Sequence, residues 1–256
     1  MAAPVPSRGA SLHSQAVNPS ITPEEFIESA KGMDVNGKDE VGDTPLHKIV
    51  ERIDVPHKEL NERFHKFLAL LVLGADIEAR NNKGVRTYTH ANHGKAWTFE
   101  WYLRTTKAFT CFEHAVFACF FKEAVEILRS ANDSVDLAVA VDKVLAISTL
   151  KEIYLAQEFW CYSIRNRTRD LLGAERNLQY PEAWDKALQQ QKEALFSFIA
   201  KLRYAVSFYE SRFKDARELI ERIGPIPGSV WAIIYRKYQI GWNKEIANIV
   251  AEGLGE

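Results

Sequence analysis

The sequence predicts an all-α protein carrying one β-hairpin insertion, and three observations support this. Residues 32–47 read as a helix stop, a turn and a new helix start; residues 70–84 repeat the stop and the turn; residues 195–223 carry an apolar stripe of helical period. In the first stretch Gly32 can take the left-handed conformation that ends a helix, and Asp39, Gly42 and Asp43 supply turn residues. Thr44 can then cap a helix whose first position is Pro45, where a missing N–H costs nothing. Leu46 opens the apolar face, and His47 is placed to hydrogen-bond nearby loop backbone.

The remaining elements follow in chain order. Residues 1–21 are rich in Ala, Ser, Pro and Asn without an apolar period, which predicts a flexible arm. Thr22-Pro23-Glu24-Glu25 is a capping box with proline at the first helical position, and Phe26, Ile27 and Ala30 give the helix behind it a short apolar face. Gly74 ends the helix that closes with Leu70-Leu71-Val72-Leu73, and Gly84 stands 42 residues after Gly42. Pro56 cannot sit inside a helix, so the segment 53–59 is expected to be a loop. Between 85 and 103, β-branched and aromatic residues flank Asn92-His93-Gly94, a hairpin signal. Helices are expected again from Thr110 and around 125–129, and residues 137–172 are helical in composition. Over 182–223 the positions Leu195, Ile199, Leu202, Val206, Tyr209, Phe213, Ala216, Ile220 and Ile223 form the stripe. Gly224-Pro225 is expected to stop that helix, which would reach about 60 Å if unbroken. A last helix is expected over 231–250.

Residues 32–47, with Thr44-Pro45-Leu46-His47, and residues 70–84 resemble the junctions between ankyrin repeats. The resemblance implies a short ankyrin-repeat solenoid with a β-hairpin insertion in a finger loop, packed on or followed by a helical C-terminal region. Its period of about 33 residues leaves roughly nine inserted between Gly42 and Gly84, which makes the loop at 53–59 an enlarged one. Thr110-Cys111-Phe112-Glu113-His114 would be a decayed third copy. The implied organisation is a flexible arm over 1–21, divergent repeats over 22–135 and a helical region over 136–256. The implied function is binding of a protein partner, since such stacks present finger tips for recognition rather than for bond-making. Asp34, Asn36, Lys38 and Arg80 would lie at the tips, with Arg86, Tyr88, His90, Trp97, Phe99 and Trp101 beside them on the hairpin. Each tryptophan could equally cap the adjacent core. Few divergent repeats joined to an unrelated helical region are similar to the ankyrin effector proteins that intracellular bacteria deliver into host cells.

Composition narrows the classes. With 33 Lys and Arg against 34 Asp and Glu, the formal charge of −1 gives no global attraction to nucleic acid or anionic membrane. Cys111, Cys119 and Cys161 lack paired spacing, which predicts a reduced, cytoplasmic setting, or the host cytosol for a delivered effector. No run has the length of a membrane span.

Chemistry has few footholds. Cys111 and His114 lie three apart on one helical face, yet Cys-x-x-Cys is absent and a zinc site needs four convergent ligands. Arg165, Arg167 and Arg169 beside Trp160 and Tyr162 could meet phosphate, or form a solvated helix face. No catalytic residue, metal or cofactor is assigned, and the oligomeric state is open. The rival class is an enzyme in the C-terminal half, around Glu152, Glu158 and Cys161, delivered to its substrate by the repeats. The stripe itself suits either a core-facing helix or a self-association seam.

Overall fold

Glycine-terminated helices and the turns behind them organise the first half of the chain. The computed structural model describes residues 11–51, 57–87, 97–130, 136–137, 139–144, 146, 182–222 and 227–254. Among these the backbone is mostly helical, with one isolated antiparallel bridge between Arg80 and Arg86. The chain divides into two compact units, 1–118 and 119–256. The boundary therefore falls before the helix at 121–130, which the sequence reading assigned to the repeat region.

The first unit begins with α1 (Leu12–Val17) and α2 (Pro23–Ala30). The expected capping box is present: Thr22 Oγ1 accepts from Glu25 N–H, and Glu25 Oε2 accepts from Thr22 N–H. Phe26, Ile27 and Ala30 are buried as the pattern requires. The arm, however, needs correction from residue 11 onward. Leu12 and Ala16 are buried in α1, His13 Nε2 donates to Asp43 O at 2.8 Å, and the buried Lys66 donates to Asn18 O just past the helix. A composition poor in large apolar residues hid a helix held by contacts to residues 30 and 48 positions away.

Next come α3 (Pro45–Val50) and α4 (His57–Val72), then α5 (Trp97–Thr105) and α6 (Cys111–Ala118). The enlarged loop at 53–59 lies largely outside the described residues, with α4 already formed from His57. The hairpin expectation fares differently at its two ends. Residues 88–96 lie outside the described residues, but Thr87 has helical backbone and 97–105 is helix α5 rather than a strand. Its aromatics follow helical spacing: Phe99 and Tyr102 sit three apart and are both fully buried. They meet Phe64 and Phe67 of α4 edge-on, with Phe67 and Phe99 centroids 5.0 Å apart. Edge-to-face pairs of this kind add about 0.5–1.5 kcal/mol beyond area burial. Thr110 caps α6, exchanging backbone and side-chain hydrogen bonds with Glu113.

The second unit contains α7 (Phe121–Ser130), helical backbone at 139–144, α8 (Glu182–Glu221) and α9 (Gly228–Leu254), with α9 packed on both α7 and α8. The stripe positions from Leu195 to Ile220 lie on one continuous helix, and Ile223 lies outside the described residues. Leu195, Ile199, Leu202 and Tyr209 are buried, Val206 and Phe213 half-buried, and Ala216 exposed. The core-facing reading thus holds for the N-terminal part of the stripe. Phe121 stacks on Phe198 at 4.6 Å, and Tyr209 and Phe213 close on Trp242. Gly224-Pro225 lies outside the described residues. No helix among the described residues is long and apolar enough to cross a membrane.

Candidate functional site: a pair of matched loops

Two loops of the first unit carry the same hydrogen-bond pattern 42 residues apart. In the first, Asp34 Oδ1 accepts from Asn36 N–H and Asp34 O from Gly37 N–H. In the second, Asp76 does the same for Glu78 and Ala79. Further on, Asp39 Oδ1 accepts from the N–H groups of Val41 and Asp43, as Asn81 Oδ1 does from Lys83 and Val85. The backbone closes identically, with Asp39 N–H to Asp43 O at 2.9 Å and Asn81 N–H to Val85 O at 3.0 Å. Gly32, Gly42, Gly74 and Gly84 all have positive φ, at corresponding places in the two copies. An Asp or Asn at the head of each turn is what such side-chain-to-backbone capture needs.

The loops are fastened to each other by polar bonds. Asn36 donates through Nδ2 to Gly74 O at 3.2 Å and accepts at Oδ1 from Asp76 N–H at 2.7 Å. Lys38 Nζ donates to Arg80 O at 2.8 Å, and Asn82 donates to Glu40 O and Val41 O. Deeper in, Asn81 Nδ2 donates to Asp43 Oδ1 at 2.9 Å. His47 completes the fastening. Thr44 N–H and Oγ1 both point at its Nδ1, so the proton sits on Nε2, which donates to Val85 O at 3.1 Å. The Thr-Pro-Leu-His stretch is therefore a cross-loop clamp, as the expectation for His47 required.

Charge is concentrated around Lys48, which lies 2.9 Å from Asp43, 3.2 Å from Asp39 and 3.4 Å from Glu51. Burial works against the ionised form of Asp43, but hydrogen bonds from Lys48 and Asn81 outweigh it, and its carboxyl is held below the ordinary range. For Asp39 the balance is the same, with backbone N–H groups and Lys48 outweighing burial. The hydrogen bond to Asp43 in turn raises Lys48 against the opposing effect of burial.

The expected partner-binding residues divide into three sets. Asp34, Asn36, Lys38 and Arg80 are brought together on the exposed loop pair, but their polar groups hold the loops: Arg80 itself donates to Gly84 O at 2.8 Å. Arg86 is half-buried and pairs with Glu78 at 3.2 Å. Phe99 is withdrawn from any surface, because helical spacing turns it onto Phe64 and Phe67. Tyr88 and His90 lie outside the described residues, as do the side chains of Trp97 and Trp101, whose backbones belong to α5. What the sequence reading missed is the exposed set Glu40, Val41, Asn82 and Lys83 at the tips. The Asp39/Asn81 correspondence marks those positions in sequence.

The second unit exposes Phe196, Tyr204, Phe208 and Leu219 on α8, and Val230 and Ile233 on α9. Arg212 lies over the Phe208 ring at 5.3 Å.

The thiol and imidazole singled out in α6 are not poised for nucleophilic work. Burial pushes the Cys111 thiol up and holds His114 down to about 4, so neither favours a thiolate–imidazolium pair. His114 Nδ1 instead shares a 2.8 Å hydrogen bond with the Tyr102 hydroxyl. No group of three or more His, Cys, Asp and Glu able to hold a metal occurs among the described residues. Arg165, Arg167, Arg169, Glu152, Glu158 and Cys161 lie outside the described residues. Comparison with protein-family models, with curated proteins and with solved structures returns no match.

Proposed function

We propose that this chain is a protein-binding scaffold whose recognition surface is built on the paired loops of the first unit. The observation carrying this reading is the repetition of one hydrogen-bonded loop 42 residues on, with the copies fastened by Asn36, Lys38, Asn82 and His47. A surface fixed in this way presents its tips with a lowered entropic cost of backbone ordering on binding. The same two stretches carry the ankyrin resemblance, and in such solenoids repeated tips serve recognition. Delivery into a host cell as an effector rests on that resemblance alone.

The test uses Glu40→Lys and Lys83→Glu, because both side chains are exposed at the tips. The intact chain is immobilised, proteins retained from a eukaryotic lysate are quantified by mass spectrometry, and the double variant is compared after its Tm is shown to be unchanged. Loss of specific retained proteins supports the reading. Retention unchanged by the tip variant but lost on Tyr204→Asp and Phe208→Asp would move recognition to the exposed face of α8.

A further inference from the structure

Asn36-Gly37 is the sole Asn-Gly pair in the sequence, and it stands where the second loop has Glu78-Ala79. Glycine after asparagine leaves the backbone nitrogen free of steric hindrance, which makes the pair prone to cyclise. The Gly37 nitrogen loses its proton and attacks Asn36 Cγ, the bond to Nδ2 breaks and ammonia departs. Water then opens the five-membered imide at either carbonyl, leaving aspartate or iso-aspartate at position 36.

In the folded chain both reacting groups are engaged. Asn36 is held at both ends of its amide by Gly74 O and Asp76 N–H, and Gly37 N–H donates to Asp34 O at 3.2 Å. Cyclisation must break all three contacts, and so requires the first loop to lift from the second. The aspartate product keeps an acceptor for Asp76 N–H but cannot restore the bond to Gly74 O. A carboxylate has no hydrogen to give Gly74 O and would set two acceptors face to face, while iso-aspartate adds a backbone atom to a turn whose closure spans Asp34 to Gly37.

We propose that Asn36-Gly37 is a covalent modification site, guarded by the docking of the second loop, whose deamidation irreversibly removes the Asn36 fastening between the two loops. The site is exposed at the tips, so solvent reaches it as soon as the loops part. It requires no enzyme and no co-reactant other than water.

The full chain is incubated in mildly alkaline buffer, folded and unfolded in urea, and conversion at position 36 is followed by peptide mapping that separates aspartate from iso-aspartate. The folded chain should convert at least about tenfold more slowly, the ratio reporting local opening. Lys38→Met, which removes the bond to Arg80 O, should accelerate conversion while the chain remains folded. Equal rates in the folded and unfolded chain, or no acceleration in Lys38→Met, would overturn the guarding. The lost fastening is read separately in Asn36→Asp, which keeps an acceptor for Asp76 N–H but has no donor for Gly74 O, and whose Tm should fall. A Tm equal to that of the unmodified chain would overturn this loss of fastening.

Discussion

Asp39 and Asn81 occupy the same place in their loops, and the acid of the first has an amide as its counterpart because Asp43 lies between them. Asn81 must give a hydrogen to Asp43 Oδ1, whereas Asp39 and Asp43 share Lys48. One position in a repeated turn is thus tuned by its neighbours to opposite chemistry.

Replacing Asn81 with Asp should therefore destabilise the first unit by about 1–3 kcal/mol at neutral pH, since it buries one carboxylate against another. Asn81→Asp keeps the acceptor that holds Lys83 and Val85 N–H. Denaturant unfolding should accordingly show part of the loss recovered in mild acid, where one of the two carboxyls takes up a proton.

Gly42 and Gly74 separate backbone strain from steric conflict. Both have positive φ, but a Cβ on Gly42 would stand 2.3 Å from Asn82 Oδ1 and 2.6 Å from Asn82 N, while one on Gly74 meets nothing within 4 Å. Gly74→Ala should cost about 1–2 kcal/mol, the strain of an L-residue in the left-handed region. Gly42→Ala should cost clearly more and should raise hydrogen exchange at Asn82, whose N–H bonds Val41 O. Thermal unfolding of the two variants gives the order.

Phe99 and Leu46 test the core directly. Both have no exposed surface. Phe99→Ala should lose about 3–5 kcal/mol and Leu46→Ala about 2–5 kcal/mol of unfolding free energy. A near-neutral Phe99→Ala would restore that side chain to the partner-binding set.

Acid should weaken the first unit through two groups. His114 is held down to about 4 from 6.5 by burial, so between those pH values the unfolded chain binds a proton that the folded chain refuses. Stability falls with pH across that window, by on the order of 3 kcal/mol in total. Asp43, held below its ordinary range, contributes stability that is present above the unfolded carboxylate value and is lost as pH falls through its folded value. Unfolding of His114→Gln should be flatter in pH between 6.5 and 4 than that of the parent chain.

Local chemistry was legible in sequence and tertiary context was not. Gly32, Thr44-Pro45 and the Thr22 capping box behave as read because each is decided within a few residues. The long helix through Leu195 and Tyr209 was equally plain, its stripe repeating for many turns. Trp97-Thr98-Phe99 misled because aromatic and β-branched residues suit a strand in isolation, whereas Phe64 and Phe67 offer a buried slot that only helical spacing fills. Helix α1 was hidden for the same reason: bonds from His13 and Lys66 to distant carbonyls hold it, and no local periodicity reports them. Of the candidate site, the loop residues Asn36, Lys38 and Arg80 were found by motif, but their use as fasteners depends on a second loop 42 residues away in sequence.

The bond from His13 to Asp43 O has a corollary for how far the loop pair could be extended. A loop array lengthens by duplicating a segment whose two faces are both able to dock onto a copy. Here the outer face of the first loop is already occupied by α1, and Lys66 depends on the carbonyl that follows that helix. A copy added ahead of the first loop would displace the acceptor of Lys66. The pair of loops is thus capped on the α1 side by contacts that a further copy would have to displace.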